Sequence, residues 1–168
     1  MKVLKIYCDT DTLVNNIRRH QTPKEQNELD ALDKLLSRYR AGDVVLYRSA
    51  VNLRETERTA DQEQRRKLLE DYTQLTPIPE DVKYLGSYSL PGGTTGVMAS
   101  DVQDDAMRDQ LCQIGLNRKD AEHLTQAICN HCDVFLTRDE RSIIKHRVKI
   151  EAHFQIKVRK PSELVAEI

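Results

Sequence analysis

Short apolar runs alternate along the chain with stretches of helical period. Val3-Leu4-Lys5-Ile6-Tyr7-Cys8 is a strand-length run that gives way to Asp9-Thr10-Asp11-Thr12, the pattern of a buried strand with carboxylates at its C-terminal end. Thr22-Pro23-Lys24-Glu25 combines an N-cap, a first-turn proline and a capping-box acid. Leu29, Leu32, Leu35, Leu36 and Tyr39 follow at helical spacing, which predicts a helix ending near Ala41-Gly42. Residues 43–48 read as a second strand, and Ser49 caps a helix expected to run through the charged stretch to about Tyr72, with Glu55 in its second turn.

Over 75–100, Pro77, Pro79 and Pro91 with Gly92, Gly93 and Gly96 break the helical pattern and predict loop or hairpin. Residues 101–112 form a weak helical pattern, and Asn117-Arg118-Lys119-Asp120 caps a stronger one with Ala121, Leu124, Ala127 and Ile128 on its apolar side. Asp133-Val134-Phe135-Leu136-Thr137 is a third strand, ending at Arg138-Asp139. A short basic helix through Lys145, a last strand over 153–158 and a terminal helix from Pro161 complete the order. Strands alternating with helices predict an α/β fold around a central, mostly parallel sheet. The length of 168 residues suits one domain spanning 1–168, with a variable insertion or loop region at about 73–116.

Composition narrows the functional classes. Mean hydropathy is -0.63, and no stretch approaches the roughly 20 apolar residues of a membrane span. The N-terminal run, interrupted by lysines, is unlike a signal peptide, so a cytoplasmic protein with no membrane attachment is expected. Four scattered cysteines, Cys8, Cys112, Cys129 and Cys132, then read as free thiols; Cys129 and Cys132 form a C-x-x-C pair near His123 but lack a second ligand pair for structural zinc. Aromatics are 5% with no Trp, which argues against a base-stacking platform. The formal net charge of -1 hides a division: residues 138–160 carry eight Lys or Arg against three acids, a balance suited to phosphate-backbone contact.

In an open α/β sheet the ligand crevice lies outside the carboxyl ends of the strands. Asp9, Glu55 and Asp139 fall at or just after such ends, and Asp120 opens the helix that leads to the Asp139 strand. Four carboxylates on one pocket repel one another unless a cation neutralises them. A hard, oxygen-seeking ion such as Mg²⁺ or Mn²⁺ suits that set.

The order and context of these acids resemble the PIN domain family of metal-dependent ribonucleases, which includes the VapC-type toxins of bacterial toxin-antitoxin pairs. The segments that carry the resemblance are Ile6-Tyr7-Cys8-Asp9-Thr10-Asp11-Thr12-Leu13, Ser49-Ala50-Val51-Asn52-Leu53-Arg54-Glu55, Asp120-Ala121-Glu122-His123-Leu124-Thr125-Gln126-Ala127 and Phe135-Leu136-Thr137-Arg138-Asp139. It covers roughly residues 3–57 and 117–166, the latter closing on Phe154 to Leu164. The resemblance implies a PIN-like three-layer sandwich and an endoribonuclease that leaves a 5′-phosphate and a 3′-hydroxyl. Asp9 and Asp139 would be direct ligands of Mg²⁺ or Mn²⁺, and Glu55 and Asp120 ligands or water positioners, with Asp11 and Thr137 as accessories. Arg138, Arg141 and Lys145 are the expected RNA contacts, and a small antitoxin and a homodimer are the partners the resemblance suggests.

Two other readings compete. Asp9-Thr10-Asp11-Thr12-Leu13 also resembles the opening Asp-x-Asp motif of haloacid-dehalogenase-like phosphatases, although Glu151, Glu163 and Glu167 stand singly where that family needs a later acidic pair. A PIN-fold module that binds without catalysis is the other.

Overall fold

The computed structural model describes residues 3–14, 22–79, 85–89, 95–98 and 104–168. Its strands are β1 (Leu4–Cys8), β2 (Val44–Arg48), β3 (Thr76–Pro77), β4 (Leu85–Ser89), β5 (Thr95–Met98), β6 (Val134–Leu136) and β7 (Lys157–Arg159). Five of them form one sheet in the order β3-β2-β1-β6-β7, every pairing parallel, while β4 and β5 pair antiparallel as a separate hairpin. The helices are α1 (Thr10–Val14), α2 (Pro23–Ala41), α3 (Ala50–Glu57), α4 (Gln62–Thr73), α5 (Asp105–Ile114), α6 (Arg118–Cys129), α7 (Arg147–His153) and α8 (Pro161–Glu167).

The alternation of side chains along β1 sorts the core. Ile6 and Cys8 join Leu46, Val134 and Leu136 beneath Leu32 and Leu35 of α2, Leu68 and Tyr72 of α4, and Leu164 of α8. Tyr7 points the other way and joins Phe135 and Val158 beneath Leu111 of α5, Leu124 and Ala127 of α6, and Ile150 of α7. Tyr7 and Phe135 stack with ring centroids 5.4 Å apart. Helices thus cover both faces of a parallel sheet, as such sheets require, an arrangement compatible with a three-layer sandwich. Among the described residues no helix is long and apolar enough to cross a membrane.

Local chemistry sets the boundaries. Thr22 and Glu25 close the capping box expected for α2, and Gly42 ends the helix in the left-handed region at φ 82°. Glu28, buried on α2, accepts the backbone N–H of Ser162 at 3.0 Å and its hydroxyl at 2.6 Å, so α2 supplies the N-terminal cap of α8. Gly115 ends α5 at φ 116°, where a Cβ would stand 2.9 Å from the His146 ring.

Several boundaries differ from the sequence pattern. The single helix expected from 49 to 72 is two, because Asp61 caps a new start by accepting the Gln64 N–H at 2.8 Å. The turn lets Leu68 and Tyr72 reach the core. The short basic helix is a 3-10 turn, Ile144–His146, running into α7. The last strand moves from 153–158 to Lys157–Arg159, since His153 still belongs to α7. Within the 73–116 region β3 joins the main sheet, the hairpin falls where the pattern broke, and Asp104 caps α5. The glycine-rich Pro91-Gly92-Gly93-Thr94 and the start of the weak helix at 101–103 lie outside the described residues.

Candidate active site

The strand order reverses at β1: β2 and β3 lie to one side, β6 and β7 to the other. Such a switch point opens a crevice at the carboxyl ends of the strands. Asp9 follows β1 and Thr137 follows β6, and the two are joined by a bond of 2.9 Å from the Asp9 N–H to the Leu136 carbonyl. Thr137 Oγ1 donates to Asp9 Oδ2 at 2.7 Å, and the Thr10 N–H donates to Asp9 Oδ1 at 2.8 Å. Asp9 is 6% exposed. Burial raises its carboxyl pKa although His123, Thr137 and Thr10 pull the other way.

Asp11, in the first turn of α1, accepts the Arg138 N–H at 3.3 Å and faces the Thr137 hydroxyl at 3.4 Å. Burial and the neighbouring Asp9 charge hold it well above the usual carboxylate range.

Glu55 comes in from α3. Its Oε2 lies 2.9 Å from Nε2 of His123, an imidazole of α6 whose other nitrogen meets the Tyr7 hydroxyl at 2.8 Å. The same Nε2 stands 3.9 Å from Asp9 Oδ1. Burial works against the charged form of Glu55, but His123, helped by Thr10, outweighs it and brings the carboxyl down to about 2. Burial likewise opposes the charged form of His123, and Glu55, Asp9 and Asp120 overcome it, raising its pKa. The chain of hydroxyls extends from Tyr7 to Ser49 at 2.6 Å, and the Asn52 side chain ties Ser49 to the end of β1 through the Cys8 carbonyl at 3.0 Å.

Asp120 and Asp139 meet at Ser142. Asp139 accepts the N–H groups of Arg141 and Ser142, each at 2.8 Å. The Ser142 hydroxyl lies 2.6 Å from Asp139 Oδ2 and also bonds Asp120 Oδ2. One hydroxyl proton faces two carboxylates, so the bridge is complete when one of them is protonated. Burial, with the charges of Asp9 and Asp139, raises Asp120 in spite of the Ser142 bond. Asp139 is lowered: burial opposes this, but Ser142, Arg141 and Lys145 prevail. Of the two, Asp120 is the acid that takes up a proton more readily. Asp120 keeps its capping environment as well, since Asn117 caps α6 and its side-chain amide donates to Asp120 Oδ2 at 2.7 Å.

The structure thus gathers Asp9, Asp11, Glu55, Asp120, Asp139 and Thr137 in one crevice. The donor set is carboxylate oxygen, and burial and mutual charge raise three of its members, which is the chemistry a hard divalent cation relieves. As placed, no group of three or more His, Cys, Asp or Glu among the described residues could hold a metal ion. Each carboxylate is engaged by Thr137, His123 or Ser142, and Asp120 and Asp139 must exchange the serine for an ion to ligate one.

Arg138 and Arg141 line a cavity of about 520 Å³ that also opens onto Asp11 and Asp139, and Lys145 acts on Asp139 through its charge. The basic segment is less free than its composition suggests. Arg147 pairs with Glu163, Arg159 with Glu151 and Glu167, Lys157 with Glu167, and Lys160 with Glu140. Burial pushes the Cys8 and Cys132 thiols up, keeping them protonated.

Sequence reasoning missed His123 and Ser142. His123 carried a signal, lying three residues after Asp120 on the same helical face. Ser142 carried none beyond following Asp139. No protein-family model and no curated protein matches the chain.

Proposed function

We propose that the protein is a Mg²⁺- or Mn²⁺-dependent endoribonuclease of PIN type, its sheet and helices forming the three-layer sandwich of that family. The observation that carries the reading is the convergence of Asp9, Glu55, Asp120 and Asp139 on the crevice at the switch point of a parallel sheet. A divalent cation bound there supplies activation of a water and neutralisation of charge on the phosphodiester. Asp9 and Asp139 are the residues that would hold it. Asp120, freed from Ser142, would join them as a ligand or position the attacking water, and cleavage would leave a 5′-phosphate and a 3′-hydroxyl, the departing 3′-oxygen taking its proton from solvent. Glu55 stays ionised against His123 and fixes that wall of the crevice, and Arg138, Arg141 and Lys145 bind backbone phosphates. On this reading the protein works in the cytoplasm, pairs with a second copy and, as a toxin, is silenced by a small antitoxin that fills the crevice.

The test is cleavage of mixed RNA in Mn²⁺. Asp9→Asn and Asp139→Asn should each reduce cutting to background while circular dichroism shows the fold retained; full activity in both variants would sink the reading. Turnover of a generic phosphoester that vanishes in Asp11→Asn, with RNA left intact, would point to the phosphatase reading instead. No cleavage and no thermal shift with Mn²⁺ would leave the binding module.

A further inference from the structure

Glu140 follows Asp139 on the lip of the 520 Å³ cavity. Lys24 Nζ reaches Glu140 Oε1 at 2.7 Å, and Lys160 Nζ bonds the same oxygen. The two lysines come from different elements, one from the first turn of α2 and one from the residue preceding α8. Lys160 is the more enclosed, its side chain 19% exposed, whereas that of Lys24 is 66% exposed. Arg138 and Arg141 stand on the same cavity, and Asp11 and Asp139 form the wall toward the crevice. Two ammoniums meeting on one anionic oxygen is the contact that lysines make with a phosphate oxygen.

We propose that Lys24 and Lys160 form a seat for a backbone phosphate of single-stranded RNA beside the cut, and that Glu140 fills this seat until the strand displaces it. The identity of the strand rests on the endoribonuclease reading; the seat rests on the two lysines and the shared oxygen. Glu140 is 45% exposed, and solvent-exposed ion pairs are weak, so its carboxylate leaves readily. The incoming strand brings a row of phosphates whose neutralisation releases counterions. Lys160, the more enclosed of the two lysines, is left facing the vacated place, which favours an incoming anion. The exchange carries the strand past Arg138 and Arg141 toward Asp139, one residue from the displaced carboxylate.

The experiment is fluorescence anisotropy of a labelled single-stranded oligoribonucleotide titrated with protein in EDTA, where nothing is cut, over a range of salt. Glu140→Gln is expected to bind severalfold more tightly than the unaltered protein. Lys24→Ala and Lys160→Ala should each weaken binding and lower the slope of log K against log salt by about 0.7. With both lysines replaced, Glu140→Gln should bring no gain. Binding unchanged or weakened in Glu140→Gln, or a gain that survives loss of both lysines, overturns the seat. Lys24 is the more exposed of the two, so its variant keeps the test decisive if Lys160→Ala does not fold. If RNA is cut in Mn²⁺ yet Glu140→Gln brings no gain, the seat falls alone. If nothing is cut while the gain appears and requires the lysines, the seat stands and the endoribonuclease reading falls.

Discussion

The acidic crevice has two halves that hold their carboxylates in opposite ways. On the α3 side, Glu55 faces the His123 imidazole at 2.9 Å, and the pair satisfies itself: the acid is brought down to about 2 and the imidazole is raised. On the β6 side, Asp120 and Asp139 face one serine hydroxyl, and one acid is raised while the other is lowered. The first half contains its own counter-charge. The second is complete only with an added proton or an added cation, and Asp9 and Asp11, both raised, lean on it. Affinity for a cation should therefore concentrate in the Asp9, Asp120 and Asp139 part of the crevice, with Glu55 as wall.

The comparison breaks most readily at His123. His123→Ala removes the partner of the half-buried Glu55 and leaves the buried Tyr7 hydroxyl without that partner, so stability should fall by about 1–3 kcal/mol, read from urea melts in EDTA. A loss no larger than that of an ordinary surface variant would mean that Glu55 and His123 do not satisfy each other.

The second test uses pH and metal together. Asp9, Asp11 and Asp120 have folded-state pKa values raised above the ordinary 3.8. The stability they contribute is present below that value and lost as pH rises through their elevated ones. Glu55 and Asp139 have the opposite sign: their contribution is present above the ordinary carboxylate range and is lost on acidification, for Glu55 only as pH falls through about 2. Above the ordinary carboxylate value the raised acids, and with the same sign the raised His123, lose this contribution as pH rises. The melting-temperature gain from Mn²⁺ should grow over that range, toward the equivalent of about 2.7 kcal/mol at a hundredfold excess over Kd. A gain independent of pH would show that the raised acids are not the ones that take the ion.

The smallest effect is expected at Ser142. Ser142→Ala should cost about 1 kcal/mol in EDTA and much less in Mn²⁺, because an ion replaces the bridge. An equal cost under both conditions would make the serine a structural bond and nothing more.

Much of this was legible in the chain. The caps at Thr22, Ser49 and Asn117 announced three helices because each is a side chain answering a backbone N–H within three residues. Asp9, Asp120 and Asp139 were legible because each follows a strand or opens a helix, whereas Glu55, in the second turn of α3, was selected only by the family resemblance. Less visible was whatever depended on distance in sequence. In the sequence His123 stood out only as a neighbour of the Cys129–Cys132 pair, yet it lies opposite Glu55, 68 residues away. The break between α3 and α4 depended on Asp61 competing as a cap within a uniformly charged stretch. The basic segment looked like one surface, but Arg147 and Arg159 spend their charge on Glu163, Glu151 and Glu167.

The bond between Glu28 and Ser162 joins residues 134 positions apart, and it bears on the order in which the molecule can finish folding. During synthesis α2 emerges early with a carboxylate destined for burial and nothing to receive it. Its receiver, together with β7 and Leu164, arrives more than a hundred residues later, so the nascent chain must wait for residues 157–167 to clear the ribosome before that layer closes. Until then Lys160, which completes the grip on Glu140, is still inside the exit tunnel. The α2–α8 layer is therefore a late one, closed by a contact that no earlier stretch of the chain can supply.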